Sequence, residues 1–211
     1  MREALGLVEV QGWSPAMAIL DAMEKAASIR LLQAELNDLY GVCLRITGAL
    51  ADVGAALDSA AALAQVLKAK CVTDLISAAA LEARAAYEAH PEFNPLIEQN
   101  VVYIPPAAGT EKEKHVSPQS DFAIGFIETQ GFTAVIEAID TACKAASVEV
   151  LGREKLGGGY ITVVIKGDVA AVNAAIEAGK AKVDGLGKLI AAHVIPRPSR
   201  HVLALLPTPS A

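Results

Sequence analysis

Histidine and cysteine are the side chains of this 211-residue chain that could bind a metal ion or supply a nucleophile. None of them stands at the spacing of paired metal ligands, and the cysteines form no CxxC pattern. We therefore predict structural or solvated histidines, reduced and buried cysteines, and no metal site. The residues concerned are His90, His115, His193, His201, Cys43, Cys71 and Cys143.

No set of nucleophile, base and orienting group stands at a believable spacing, which argues against an enzyme. The run Gly157-Gly158-Gly159 could suggest a phosphate-binding loop. However, the residues that follow it, Tyr160 to Lys166, are rich in β-branched side chains and predict a strand, whereas a phosphate loop leads into a helix N-terminus. We predict no catalytic residues and no cofactor.

Composition narrows the class of protein further. The length fits one large domain or two of about 100 residues each. A formal charge of -6, a pI near 5.2 and the absence of a basic run argue against nucleic-acid binding. We find no apolar run near the roughly 20 residues that span a bilayer, and no signal peptide, so we expect a cytoplasmic protein without a membrane partner.

The chain repeats itself at an offset of 119 residues, so that residues 4–13 (ALGLVEVQGW) align with 123–132 (AIGFIETQGF). Lys25-Ala26-Ala27-Ser28 recurs as Lys144-Ala145-Ala146-Ser147. Such a repeat predicts two copies of one small domain. Beyond about residue 70, sequence similarity favours a shift of five residues. The shift places Leu75 opposite Leu189, and Ala83 opposite Arg197.

Each copy predicts four strands and two helices, which indicates an α+β fold with one antiparallel sheet. Strands are predicted at 4–11, 29–35, 123–130, 148–154 and 160–166, with a fourth strand closing each copy. The first helix of each copy is predicted to begin at Ser14-Pro15 or Thr133, where a hydroxyl can cap backbone amides. Asp168 is predicted to cap the second helix of copy two, where copy one has Ala49.

Copy two resembles the bacterial microcompartment shell domain in its unpermuted strand order. The resemblance is carried by residues 123–129 (AIGFIET), 152–159 (GREKLGGG), 165–172 (IKGDVAAV) and 193–198 (HVIPRP). Copy one matches more weakly over residues 4–76. The resemblance implies two tandem ferredoxin-like-related shell domains, at 1–105 with a C-terminal extension and at 121–211, joined by a linker at 106–120.

What the resemblance implies about function is a homotrimer shaped like the hexamers of single-domain relatives, with a central pore. In the family the loop between the second and third strands lines that pore. The matching residues are Lys155, Leu156, Gly157 and Gly158 in copy two, and Leu36, Asn37, Asp38 and Leu39 in copy one. An iron-sulfur cluster would need a cysteine in this loop. Cys43 lies beyond it, in the third strand, so no cluster is expected.

The resemblance also implies tile-edge residues. A lysine near the end of the first helix meets its counterpart on the next tile, and an arginine after the fourth strand adds hydrogen bonds. Lys25, Lys144 and Arg197 match these positions. Other shell proteins are then edge-to-edge partners, and encapsulated enzymes are further candidate partners. An alternative function is a ligand-sensing regulatory protein built from paired α/β domains, since fold alone does not exclude it.

Overall fold

The computed structural model describes residues 3–37, 41–79, 102–103 and 121–207. The chain forms two compact units. The first comprises Met1–Gln11 and Ala22–His115, and the second comprises Gly12–Asp21 and Val116–Ala211. Helix α1 (Trp13–Ala26) crosses this division, so its N-terminal part belongs to the second unit. The predicted linker and most of the predicted C-terminal extension lie outside the described residues.

The first unit contains an antiparallel sheet in the order β4-β1-β3-β2-β5. Helix α2 (Leu50–Leu67) packs on it, with Val53 against Gly6. The predicted four-stranded sheet is confirmed, and a two-residue strand extends it beside β2. The strands are β1 (Ala4–Gln11), β2 (Ile29–Asn37), β3 (Gly41–Gly48), β4 (Cys71–Ile76) and β5 (Val102–Tyr103).

The second unit repeats this plan with an antiparallel sheet in the order β7-β8-β6-β9. Its helices α3 and α4 pack on one face of that sheet, and the predicted α+β class is confirmed. The elements are β6 (Ala123–Gln130), α3 (Phe132–Ala145), β7 (Glu149–Gly157), β8 (Tyr160–Gly167), α4 (Val169–Lys180), β9 (Lys188–Ile195) and α5 (Arg200–Ala204).

The two sheets share one strand register over most of their length, because most pairs in the first recur in the second at the same offset. Ala4 pairs with Gly48, and Ala123 pairs with Gly167. At the other edge Ile76 pairs with Leu5, as Ile195 pairs with Ile124. The predicted five-residue shift is therefore wrong. The unshifted register places Ala78, not Ala83, at the position of Arg197. Apolar side chains recur along a strand, so similarity alone does not fix register.

The predicted helix caps are also wrong in detail. Helices α1 and α3 begin at Trp13 and Phe132, one residue before the predicted serine and threonine. Asp168 does occupy the N-cap position of α4, but its side chain makes no capping hydrogen bond. Pro15 lies in the first turn of α1 as expected, where its missing N–H costs nothing.

Helix α2 is long and apolar enough to span a membrane by length and composition, which we did not predict. Its buried residues lie at helical spacing: Val53, Ala56, Leu57, Ala60 and Ala64. Asp52 and Asp58 lie outside that set. A single apolar stripe packed on a sheet is typical of a core helix of a globular domain, which passes the same length and composition test.

Small residues bring the helices of the second unit close to the sheet and to each other. A Cβ atom added at Gly179 of α4 would lie 2.6 Å from Ile127 Cδ1 and 2.7 Å from the backbone oxygen of Ala138. The alanines Ala134, Ala138 and Ala142 along α3 are fully buried in the same core. Close backbone approach thus replaces bulky side chains in this core, consistent with only 4% aromatic residues.

Replacing Gly179 with alanine tests this close packing. We expect the Gly179→Ala variant to lose about 1–3 kcal/mol of unfolding free energy, because the backbone oxygen of Ala138 cannot move aside. The control is Gly54→Ala in α2, where an added Cβ atom meets nothing within 4 Å. That variant should gain up to about 1 kcal/mol from helix propensity. Opposite shifts in thermal midpoint, measured by circular dichroism, would support the packing, and two shifts of the same sign would contradict it.

Candidate functional site

The glycine run predicted to line a pore forms the turn of the β7–β8 hairpin. Gly157 pairs with Tyr160, which leaves Gly158 and Gly159 as a two-residue turn. Their φ angles are +57° and +81°, and that of Gly157 is +87°. Two successive positive φ values match the type I′ hairpin turn, which glycine adopts without strain.

Two hydrogen bonds hold this turn against the end of β6. The backbone amide of Gly131 donates to the carbonyl of Gly159 at 3.1 Å. The side chain of Gln130 donates to the carbonyl of Gly158, also at 3.1 Å. The turn is therefore fixed to its own sheet, although its two glycines and the preceding Gly157 are exposed.

The other predicted pore residues are placed as follows. Lys155 is exposed, whereas Leu156 is buried. In copy one Leu36 is half-buried and Asn37 ends β2. Asp38 and Leu39 lie outside the described residues. The assignment of these loops to a pore remains a prediction.

The predicted edge residues lie at exposed ends of elements. Lys25 and Lys144 are exposed in the last turns of α1 and α3, and Arg197 is exposed just after β9. The Nζ of Lys144 lies 2.5 Å from Oδ2 of Asp140, one turn earlier. The hydrogen bond and the negative charge of Asp140 raise the pKa of Lys144. The contact of Lys25, Lys144 and Arg197 with a neighbouring tile remains a prediction.

The sequence did not predict the buried carboxylate of Glu128 in β6. Its oxygens accept hydrogen bonds from the backbone amides of Trp13, at 3.2 Å, and Ser14, at 3.1 Å. These amides open helix α1 and have no partner inside the helix. Glu128 is fully buried, and the positive end of the helix dipole favours its charge. Both partners belong to the second unit.

Two further contacts hold the start of α1 in the second unit. The rings of Trp13 and Phe126 meet edge to face, with centroids 5.5 Å apart. The carboxylate of Asp21 accepts a hydrogen bond from the backbone amide of Ser199 at 2.9 Å.

A clue to Glu128 was present in the sequence, because Glu9 and Glu128 are carboxylates at equivalent positions of two apolar strands.

The cysteines only partly match their prediction. All three are free thiols, but Cys43 and Cys71 are half-buried and Cys143 is exposed. Among the described residues no group of histidine, cysteine and acidic side chains could hold a metal ion. His201 is buried. His193 is half-buried, and burial lowers its pKa. His90 and His115 lie outside the described residues.

Two α+β units with one strand order and one register define a tandem-repeat domain protein. The BMC domain model matches residues 4–80 and 123–198, so the chain belongs to this family and carries two BMC domains in tandem. It is a tandem-domain bacterial microcompartment shell protein. The matched ranges include the β2–β3 and β7–β8 connections and the three predicted edge residues.

Curated relatives match over roughly one domain each. The shell protein PduA of Citrobacter freundii is 49% identical over 85 residues, which are 40% of this chain and 91% of the relative. The carboxysome shell protein CsoS1 of Prochlorococcus marinus is 51% identical over 81 residues, 38% of this chain and 79% of the relative. A crystal structure of a microcompartments protein from Desulfitobacterium hafniense DCB is 25% identical, with a TM-score of 0.38, covering 97% of this chain and 99% of that one.

Removing the Glu128 carboxylate should destabilise the second unit. We expect Glu128→Ala to cost about 1–3 kcal/mol near neutral pH, because two buried amides lose their acceptor. Trp13 is the one tryptophan of the chain, so its fluorescence reports on this site directly. Emission should move to longer wavelength together with a lower thermal midpoint. The exposed Glu137 of α3 gives a matched control, Glu137→Ala, and equal effects of the two substitutions would contradict the assignment.

Stability should also depend on pH through Glu128. Burial raises its pKa above the ordinary value, and the hydrogen bonds from Ser14 and Trp13 reduce that rise. The folded state thus holds this proton more tightly than the unfolded chain does. The contribution of this bound proton to the free energy of unfolding is complete below the ordinary glutamate pKa. It is lost as the pH rises through the raised pKa of the folded state. The difference in free energy of unfolding between wild type and Glu128→Ala should therefore become smaller from acidic to neutral pH. A difference that becomes larger over that range would contradict the raised pKa of Glu128.

Proposed function

We propose that the chain is a structural tile of a bacterial microcompartment shell. The observation that carries the proposal is the pair of BMC domains in one chain. The curated relatives are named as shell proteins of bacterial microcompartments and carboxysomes, and each match spans most of the relative. No enzymatic activity is part of this function. The domain boundaries 1–105, 106–120 and 121–211 complete the proposal.

In the proposed assembly three chains surround one axis as a homotrimer, so that six BMC domains form a pseudo-hexamer. Repeated domains that present the same surfaces in succession close into a ring when the rotation fits. The loops between the second and third strands then line a central pore for small metabolites. The exposed turn at Gly158-Gly159 supports this role, because glycine offers backbone groups rather than side chains to a passing molecule.

The two domains give the tile two kinds of edge. Both carry the edge lysine, Lys25 or Lys144, at the exposed end of a helix. Only the second carries Arg197, since Ala78 takes its place in the first. Alternating edges would let one tile join different neighbours. The proposed partners are other shell proteins and encapsulated enzymes, and the proposed location is the microcompartment shell in the cytoplasm.

A ligand-sensing regulatory protein remains the alternative function. It predicts a sharp thermal shift with an amino acid or nucleotide and no growth of sheets. The tile predicts the reverse, a trimer that forms sheets or tubes as concentration rises. Size-exclusion chromatography with light scattering and negative-stain electron microscopy distinguish the two functions. Dispersed monomers at every concentration would contradict the proposed tile function.

The edge assignment is tested by reversing one charge. We expect Lys144→Asp to abolish sheets while leaving trimers intact, because the facing tiles lose their lysine contact and gain repelling carboxylates. Lys180→Asp is the matched control, since Lys180 also ends a helix and pairs with an acidic residue one turn earlier, Glu177. Electron microscopy of the two variants gives the answer. Sheets that survive in Lys144→Asp, or vanish in both variants, would refute the edge role.

A further inference from the structure

Two hydroxyl groups of the second unit are buried without a hydrogen-bond partner among the described residues. They are the Oγ atom of Ser14 in α1 and the Oγ1 atom of Thr162 in β8. Both side chains are fully buried, so bulk water does not reach them. An unpaired buried hydroxyl destabilises a fold, and native proteins pair nearly all such groups with protein atoms or with ordered water.

The other buried threonines of the described structure do have partners. The Oγ1 atom of Thr47 donates to the backbone carbonyl of Ala4 at 2.8 Å. The Oγ1 atom of Thr129 donates to the backbone carbonyl of Gly131 at 3.0 Å. Burial alone therefore does not leave a threonine unpaired in this fold, and Thr162 needs an explanation of its own.

Both unpaired hydroxyls belong to close neighbours of the Glu128 carboxylate. The backbone amide of Ser14 donates to Oε2 of Glu128 at 3.1 Å, and a serine Oγ lies within about 4 Å of its own amide nitrogen. Thr162 is the direct partner of Glu128 in the β6–β8 ladder. Directly opposed side chains share one face of a sheet, with Cβ atoms about 4.5–5.5 Å apart. Two unpaired hydroxyls are thus gathered around one buried carboxylate.

This spacing suits one small molecule that hydrogen-bonds all three side chains. A water molecule joins polar atoms about 5–6 Å apart, because it bonds each of them at about 2.8 Å. Each hydroxyl can donate one hydrogen bond and accept others, and each oxygen of Glu128 keeps a lone pair after binding one amide. Internal waters typically make about three hydrogen bonds to buried groups that have no other partner.

The surroundings favour a neutral ligand over a metal cation. The carboxylate of Glu128 already faces the first amides of α1, and the positive end of this helix dipole repels a cation. Burial raises the pKa of Glu128. A water molecule suits both protonation states, since it donates to a carboxylate and accepts from a carboxylic acid.

The two copies of the repeat do not share these hydroxyls. Cys43 stands at the ladder position equivalent to Thr162, and a thiol is a weak hydrogen-bonding group. The helix residue equivalent to Ser14 is Thr133, which is exposed together with the preceding Phe132. An exposed hydroxyl bonds to bulk water and needs no internal ligand. We therefore expect one such site in the chain, beside Glu128.

We propose that Ser14, Thr162 and Glu128 bind one internal water molecule, which joins the start of α1 to strand β8. All three residues belong to the second unit. The water gives the first turn of α1 a link to β8, in addition to the hydrogen bonds that this turn makes with β6. The site goes beyond the proposed shell function and does not depend on trimer formation.

Replacing Thr162 with valine keeps the shape of the side chain and removes its hydroxyl. A hydroxyl without any partner would be dispensable, so the thermal midpoint would stay the same or rise. With a bound water we expect the midpoint to fall by roughly 2 °C or more, measured by circular dichroism. Thr73→Val is the matched control, because Thr73 lies in the edge strand β4 and is half-buried. A midpoint of Thr162→Val at or above that of wild type would overturn the proposal.

A double-mutant cycle tests whether the two hydroxyls share one ligand. Ser14→Ala should also lower the midpoint, whereas Thr133→Ala, its exposed counterpart, should leave it nearly unchanged. Because removal of either hydroxyl disrupts the same water, the double variant of Ser14→Ala and Thr162→Val should lose clearly less stability than the sum of the single losses. Losses that add in full would overturn the shared site.

The identity of the ligand is tested directly by a high-resolution crystal structure and by metal dependence. We expect one density peak within about 3.2 Å of polar atoms of Ser14, Thr162 and Glu128. A direct hydrogen bond between the two hydroxyls, without such a peak, would overturn the proposal. Equal thermal midpoints in EDTA, Mg²⁺ and Ca²⁺ support water. A midpoint that either cation raises in wild type but not in Thr162→Val would contradict the assignment to water.

Discussion

The described structure depends on a carboxylate that holds the first turn of a helix. Glu128 leaves water to bind the amides of Trp13 and Ser14, and the cost of burying its charge is partly offset by two hydrogen bonds and the helix dipole. This bond holds the start of α1 beside Phe126, and it explains why residues 12–21 belong to the second unit although they precede the first unit's second strand.

Much of the fold was predictable because it follows from local patterns in the sequence. The first strand of each copy was predicted with its observed ends, 4–11 and 123–130, and the hairpin turn at Gly158-Gly159 follows from glycine alone. The class α+β followed from counting strands and helices in a repeat. These features depend on neighbours within a few residues, where propensity and spacing are informative.

The remaining features involve residues far apart in the chain. The group that caps α1 lies more than a hundred residues away, so the nearest hydroxyls, Ser14 and Thr133, were natural but wrong candidates. The five-residue shift failed because apolar residues such as Leu75 and Leu189 are interchangeable by similarity, while the hydrogen-bonded ladder is not. The exposure of Phe132 was equally hidden, since its counterpart Trp13 is buried and both are aromatic.

The course of α1 across the two units has a consequence for the concentration dependence of assembly. Its first half lies in the second unit while the peptide chain runs on into the first, so one class of helix-to-sheet junction forms within a single molecule. Such a junction has an effective concentration set by the chain and not by the amount of protein. A ring of six separate domains forms through five encounters in solution, whereas a ring of three fused chains forms through two. Dilution should therefore depopulate such a ring less steeply than one built of unfused domains.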